Sequence, residues 1–454
     1  MTTDPVFDAA WLAVRLDALL PQPPRGWCVA WSGGADSTAL LAALVALRDA
    51  PDRAGAPLAP LRAVHVDHHL QAASAGFRRH CRQLARRLRV PLVVRDVAVD
   101  RRRGRSPEEA ARDARYAALA AVLRPGEVLL TAQHAEDQLE SVLLQLLRGG
   151  GVAGLAGMPD CAPFGPGVLA RPLLPVPGAA LRSYLTQCGL PWIEDPSNTD
   201  TRFDRNYLRR ELLPGLLERW PAAARTVARS ARHAAAADAI LRRDGARDAA
   251  AAADGAELDM AVLRRFGPER QRHALRSWIA ARGLAPPDER ALGEVQRLLD
   301  LRDDAQPRVH WAGVEVRRHA GRLHLCAAPV AREARRDPLE PQSWHWQRSS
   351  RLALPGGGSL ALRRDRWGDV DLARLPVRLD VGMREEAVAA PRAARHCDVK
   401  SLLREAGIPA WRRAQVPLVH GDGILLAVGD LWSAECLRPR AAGAQRARFV
   451  WQQG

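Results

Sequence analysis

"VAWSGGADSTALL", Val29 to Leu41, passes from an apolar run through two glycines into an Asp-Ser pair and then into a helical apolar pattern. That order predicts a strand, a tight turn and a helix. Such a turn offers backbone N–H groups and the positive end of a helix dipole to an anion, the arrangement that holds phosphate. Gly33 and Gly34 suit this use, Ser32, Ala35 and Ser37 complete the candidate cradle, and Ser37 is expected near the helix N-cap. Asp36 is the anomaly, because a carboxylate repels the anion the loop is built for. The stretch is not a Walker loop, which needs a lysine; the chain's single lysine, Lys400, is remote.

Outward from this loop, up to about residue 150, short apolar runs alternate with amphipathic stretches. Trp27–Trp31, Leu61–Val66, Pro91–Val97 and Val128–Ala132 read as strands. Ser37–Arg48, Ser74–Arg89, Pro107–Leu123 and Ala135–Arg148 read as helices. The alternation predicts an α/β fold with a doubly wound, mostly parallel sheet, whose ligands bind beyond the carboxyl ends of the strands. Both "SGGADS" and "AQHAEDQ" follow a strand directly and so open onto that edge. "GGGVAGLAGMP" (Gly149–Pro159) breaks the pattern before another helix at Gly178–Gly189. From about Leu216 the chain turns helical and Ala-rich, residues 308–326 alternate like a small hairpin, and Ala328–Ser343 is the best linker candidate. The expected domains are 1–215, α/β; 216–330, mainly helical; and 331–454, a linker with a small α+β module.

A chain of 454 residues exceeds what one core usually organises, in keeping with that division. The net charge of +16 suggests a polyanionic partner such as nucleic acid, although nearly all of it is arginine, as a GC-rich genome would also produce. The seven cysteines are widely spaced without a C-x-x-C, so neither a disulfide framework nor a zinc or iron–sulfur site is indicated. The N-terminus is a poor signal peptide and no apolar run approaches the roughly 18 residues of a membrane span. A cytoplasmic protein without membrane contact is expected.

"SGGADS" (Ser32–Ser37) resembles the PP-motif of the N-type ATP pyrophosphatases, which split ATP between its α and β phosphates. Four further stretches narrow the resemblance: "HVDHHL" (His65–Leu70), "EEAARDARY" (Glu108–Tyr116), "TAQHAEDQLES" (Thr131–Ser141) and "WIEDPSNTDTRFDRNYLR" (Trp192–Arg209). In order and spacing they are similar to the bacterial tRNA(Ile)-lysidine synthase family, as is "KSLLREAGIPAWRRAQVPLV" (Lys400–Val419) near the end. The likeness covers almost the whole chain and implies a Rossmann-like PP-loop domain, with the later domains binding tRNA. Near the start of the last module the chain departs from the family pattern, having only Gly382 where a Gly-Gly pair is expected; this touches a local tRNA contact, not the chemistry.

The resemblance implies ATP-dependent attachment of free L-lysine to C2 of the cytidine at the first anticodon position of tRNA(Ile) reading CAU, through an adenylated tRNA. His134 and Asp137 stand at i and i+3, on one face if a helix begins near Ala135. With Asp36 they would set two carboxylates beside a triphosphate, so Mg²⁺ is expected, held by Asp36 and Asp137 together with phosphates. Arg112 and Arg115 share a helix face flanked by alanines, and a guanidinium fork suits charge developing on phosphate. The family pattern places Arg112 and Arg205 at the active site, with Arg115 held less firmly and Asn206 following Arg205. Asp195, Ser197, Asn198 and Asp204 favour an ordered turn. The lysine ε-amine must lose a proton, to Asp137 or His134. Glu140 is a candidate for the lysine pocket, and Trp411, Arg412 and Arg413 for tRNA contacts.

Rival readings are a tRNA thiolase, which wants persulfide cysteines or a C-x-x-C cluster; a glutamine-dependent amidotransferase, which needs an ammonia-producing domain; and a silent tRNA-binding module. The sequence lacks the features the first two require, and the third gives no reason for Ser32, Asp36, His134, Asp137 and Arg205 to occur together. Composition leaves monomer and homodimer open.

Overall fold

The computed structural model describes residues 6–50, 58–67, 74–97, 107–301, 307–327, 342–354, 358–383, 399–441 and 443–452. His68–Leu70, nearly all of the linker candidate and the stretch after Met383 lie outside them. The chain forms two compact units, 1–241 and 242–454.

The first unit opens with helix α1 (Ala9–Leu19), whose N-cap Asp8 accepts from the Trp11 N–H. Then come β1 (Gly26–Ala30), α2 (Ala35–Arg48), β2 (Leu61–Asp67), α3 (Ser74–Arg87), β3 (Leu92–Asp96), α4 (Pro107–Val122), β4 (Glu127–Leu130) and α5 (Ala135–Leu147). A short α6 (Val152–Leu155) leads to a hairpin, β5 (Cys161–Phe164) and β6 (Gly167–Ala170), followed by α7 (Gly178–Gln187). The sheet order is β3-β2-β1-β4-β6-β5, parallel except for β5. After β3 the chain crosses to the other flank of β1, so β1 and β4 are neighbours whose following turns diverge, the crevice where doubly wound sheets bind ligands. The α/β expectation holds. α1 and the β5–β6 hairpin were not anticipated.

The core packs directly beneath the crevice. Trp31, Leu40, Leu41 and Leu44 are fully buried, and α2 is covered on almost every side because α1 and α7 pack against it. The Trp31 indole N–H donates to Thr38 Oγ1 at 3.1 Å, tying the end of β1 to the first turn of α2. At the opposite end of the sheet a buried ion pair crosses β1: Arg62 Nε donates to Glu127 Oε1 at 2.8 Å. Further on, α8 (Asp204–Tyr207) passes into a π-helical turn, Leu208–Leu212, and then α9 (Leu213–Arg219) and α10 (Ala223–Ala251).

In the second unit, β7 (Ala253–Asp254), β8 (Glu257–Asp259) and helices α11 (Met260–Leu263), α12 (Pro268–Ala280) and α13 (Glu289–Arg297) precede β9 (Arg308–Trp311), β10 (Val314–His319) and β11 (Arg322–Ala327). The expected hairpin is thus part of a five-stranded sheet, β7-β8-β11-β10-β9. Residues 342–452 carry two antiparallel sheets, of five and four strands, and the helix α14 (Val399–Glu405). Among the described residues no helix is long and apolar enough to cross a membrane. Cys28, Cys81, Cys161, Cys188, Cys326 and Cys436 are free thiols.

Candidate active site

The turn after β1 is held by its own side chains. Ser32 Oγ accepts from the Gly34 N–H at 3.2 Å and lies 3.0 Å from Ser37 Oγ, which donates to the Gly34 carbonyl. The helix N-cap is Gly34, which puts Ser37 in the first turn as expected, and the cap residue has no side chain to cap the first-turn N–H groups. Gly33 has φ +89°, and a Cβ there would stand 3.0 Å from Cys81 Sγ beneath it. Both facts require glycine. The Gly33 carbonyl accepts from the Ile193 N–H at 3.0 Å, bringing the Trp192–Arg209 stretch to the loop.

Asp36 sits in the first turn of α2, its Oδ1 buried without a hydrogen-bond partner. Its Oδ2 lies 3.6 Å from His134 Nε2. Burial pushes the Asp36 carboxyl up, against the pull of His134, with Asp137 adding to the rise and Arg182 and Arg209 opposing it. An orphaned buried carboxylate oxygen at the mouth of a phosphate loop is the donor a hard divalent cation takes. Magnesium is commonly held by one or two carboxylates with substrate phosphates and water supplying the rest. Among the described residues no group of three or more His, Cys, Asp or Glu side chains is arranged to hold a metal by itself.

Helix α5 begins at Ala135 with His134 as its N-cap. Asp137 Oδ2 accepts from the His134 N–H at 3.0 Å and lies 3.6 Å from His134 Nε2. The pair therefore caps the helix and faces Asp36 together. On its other side His134 Nδ1 meets Glu136 Oε2 at 2.8 Å, and the same oxygen accepts from the Gly178 N–H that opens α7. Burial disfavours a charged imidazole, but the Glu136 hydrogen bond and the carboxylates of Asp137 and Asp36 outweigh it, so the His134 pKa is pushed up to about 9. The three carboxylates around it therefore favour the protonated imidazole.

The second strand of the site comes from α8 and its π turn. Arg205 Nε donates to Glu140 Oε2 at 2.8 Å, and Arg209 donates to Glu140 Oε1 at 2.7 Å and to Asp137 Oδ1 at 2.8 Å. Glu140 is fully buried with both oxygens taken, so it positions two arginines and is not an open site for a lysine ammonium. Asn206 Nδ2 donates to the Asp200 carbonyl, bracing the preceding turn.

Asp36, His134, Asp137 and Arg205 thus converge, and Arg209 and Glu136, which sequence reasoning passed over, join them. Arg112 does not touch this group: Arg112 and Arg115 lie over the Tyr116 ring at 5.6 and 5.7 Å. Gln133 Nε2 donates to the Tyr116 hydroxyl at 3.4 Å, so these arginines border the site through the residue before His134. In the second unit, Trp411 packs edge-on against His319 and His324 with Arg317 over its ring, Arg412 is 3.8 Å from Glu257, and Arg413 donates to the Ile408 carbonyl. All three are half-buried and make these contacts within the second unit.

Family models match along the chain: a PP-loop domain over residues 11–216, a TilS substrate binding domain over 258–324 and a TilS substrate C-terminal domain over 377–451. The tRNA(Ile)-lysidine synthase of Pseudomonas aeruginosa is 42% identical over 429 residues, 92% of each chain. Those of Alkalilimnicola ehrlichii and Methylococcus capsulatus are 41% and 40% identical, covering 91% and 93% of this chain and 91% and 94% of theirs. Among solved structures, a U34-tRNA thiolase from Methanococcus maripaludis is 14% identical with a TM-score of 0.41, over 50% of this chain and 77% of its own. With relatives this similar over nearly their full length, the chain belongs to the tRNA(Ile)-lysidine synthase family.

Proposed function

We propose that this protein ligates L-lysine to C2 of the cytidine at the first anticodon position of a CAU-reading tRNA(Ile), consuming ATP and releasing AMP and pyrophosphate. The observation that carries the reading is the identity of about 40% to tRNA(Ile)-lysidine synthases along nine-tenths of the chain. The domains assigned to it are 1–215 for catalysis, 216–330 for tRNA binding and 331–454 for a linker and a second tRNA-binding module, in a cytoplasmic enzyme that acts as a monomer or homodimer.

ATP enters with its phosphates over the Ser32–Ser37 loop, at the N-terminus of α2. Asp36 Oδ1 would hold Mg²⁺ together with phosphate oxygens; Asp137, occupied by Arg209 and the His134 N–H, contributes less directly. Bound there, it would supply positive charge beside the phosphates. The C2 carbonyl oxygen of the cytidine attacks the α-phosphorus, and the P–O bond to the β-phosphate breaks. His134, its protonated form favoured by the surrounding carboxylates, and the Arg205–Arg209 pair stabilise the charge that develops. Arg112 stands one layer behind, next to Tyr116. In the second step the ε-amine of lysine forms the C2–N bond and AMP departs with the former carbonyl oxygen. The proton the amine loses passes to Asp137 or His134, the two groups that face Asp36 at the start of α5.

The test is incubation of the purified protein with labelled lysine, ATP, Mg²⁺ and tRNA(Ile) bearing CAU. Label is expected in the tRNA only when every component is present. Sulfur transfer, or ATP consumption independent of lysine, overturns the reading.

A further inference from the structure

The segment that supplies Arg205 and Arg209 also carries Phe203 and Tyr207. Each pair is spaced i to i+4, and the two pairs are offset by two residues, which on a helix is about 200° of rotation. Their environments match that geometry. The arginines turn inward to Glu140 and Asp137, while Phe203 is 36% and Tyr207 48% exposed. The chain has only six Phe and three Tyr, all within the described residues, and these two alone are exposed. The other seven Phe and Tyr rings are buried or half-buried, and these two, four residues apart, lie on the back of the turn that grips the catalytic carboxylates. The strip is flanked by Arg202, paired with Asp200, and by the exposed Arg210 one turn on.

We propose that Phe203 and Tyr207 form a stacking platform for the unpaired anticodon-loop bases that flank the reacting cytidine. The inference rests on the reading above, that the substrate is a tRNA. Sequence-specific recognition of RNA works on unpaired bases splayed onto aromatic rings and guanidinium planes. Each stacked base contributes enough to shift binding by roughly five- to a hundredfold, whatever its identity. A platform here has a mechanical logic. Bases stacked on the outer face of the turn fix the loop against the segment whose inner face, through Arg205 and Arg209, sets the reacting group, so holding the neighbours registers the target. A second copy of this chain is the competing occupant of an exposed apolar strip. The flanking arginines and the continuity with the active-site arginines favour RNA.

The probe is a CAU anticodon stem-loop in which 2-aminopurine replaces the middle adenine, titrated with the full-length protein. Wild type and Tyr207→Phe are expected to quench its fluorescence equally. Phe203→Ala and Tyr207→Ala should each weaken binding about tenfold with the quench reduced, while their unfolding temperature and KM for ATP stay close to the wild-type values, since neither ring belongs to a buried core. Unchanged affinity and quench in both alanine variants overturns the platform. So does an alanine variant that turns a dimer into a monomer while binding the stem-loop normally, which would assign the strip to a contact between copies. Failure of wild type to incorporate lysine while the quench follows the aromatic residues would refute the enzymatic reading and leave the platform standing.

Discussion

Two residues of the loop have separable jobs. Gly33 supplies a left-handed backbone and a close approach to Cys81, so Gly33→Ala meets both strain and a clash with a buried sulfur. The expected outcome is a rise of at least tenfold in KM for ATP with tRNA affinity unchanged, read from steady-state kinetics. Asp36 supplies charge. Asp36→Asn keeps the shape and removes the anionic oxygen that stands unpartnered at the loop mouth, and removing one preorganised electrostatic group from such a site typically costs roughly 10²–10³ in rate. Pyrophosphate release should fall by about that factor while a filter-binding assay finds tRNA affinity intact. Turnover near wild type would refute the role given to this carboxylate. Glu140 shows how far spacing can mislead. Its position one turn after Asp137 is as visible in the sequence as that of a ligand for lysine, yet its two oxygens belong to Arg205 and Arg209, and Arg209 lies 69 residues away.

At the scale of elements, what was legible was what short-range physics determines. The loop between β1 and α2, the start of α5 at Ala135 and the β-α alternation follow from apolar period and turn chemistry within a dozen residues. The β5–β6 hairpin did not show, because "CAPFGPGVLA" is short and broken by two prolines, and becomes strand only by pairing with β4. Arg209 was invisible for a similar reason, since its role comes from Glu140 and Asp137, at least 69 residues away in sequence; Glu136 has a local partner in His134, and only its bond from the Gly178 N–H is long-range. The fold's other polar commitment, the Arg62–Glu127 pair, is also of this long-range kind. Burial disfavours the Glu127 charge, but the Arg62 guanidinium and the Arg124 N–H outweigh it and hold its carboxyl below the ordinary value near 4.5. A carboxyl whose folded pKa is depressed stabilises the fold above its unfolded pKa and loses that contribution as pH falls through the folded value. Wild type should therefore lose stability below about pH 4.5 more steeply than Glu127→Gln in urea titrations. At neutral pH Glu127→Ala, which strands a buried guanidinium, should cost about 3–5 kcal/mol. A parallel pH dependence in wild type and Glu127→Gln would remove the pair from this account.

For the molecule as a whole, the second unit binds its parts through Trp411. This indole sits edge-on to His319 and His324 and under Arg317, joining the β8–β11 sheet to the segment after α14. Trp411→Ala should lower unfolding stability by roughly 2–3 kcal/mol, toward the lower end for an aromatic truncation because the ring is half-buried. It should leave ATP consumption by the first unit unaffected in the presence of saturating tRNA. Unaltered melting would mean that the ring does not join these segments. The charge of +16 acts at this scale too, supplying the sequence-independent attraction that brings a tRNA to the surface before its anticodon is read.

The central claim is that the loop around Asp36 directs cleavage between the α and β phosphates to drive attachment of lysine. Its most direct test is to follow the fate of ATP and of lysine in one reaction, with tRNA(Ile) bearing CAU and both nucleotide and amino acid labelled. AMP and pyrophosphate are each expected in one-to-one ratio with lysine bound to the tRNA, and all three are expected to form roughly 10²–10³ times more slowly with Asp36→Asn. Release of ADP and phosphate, or AMP formed without lysine reaching the tRNA, would contradict it.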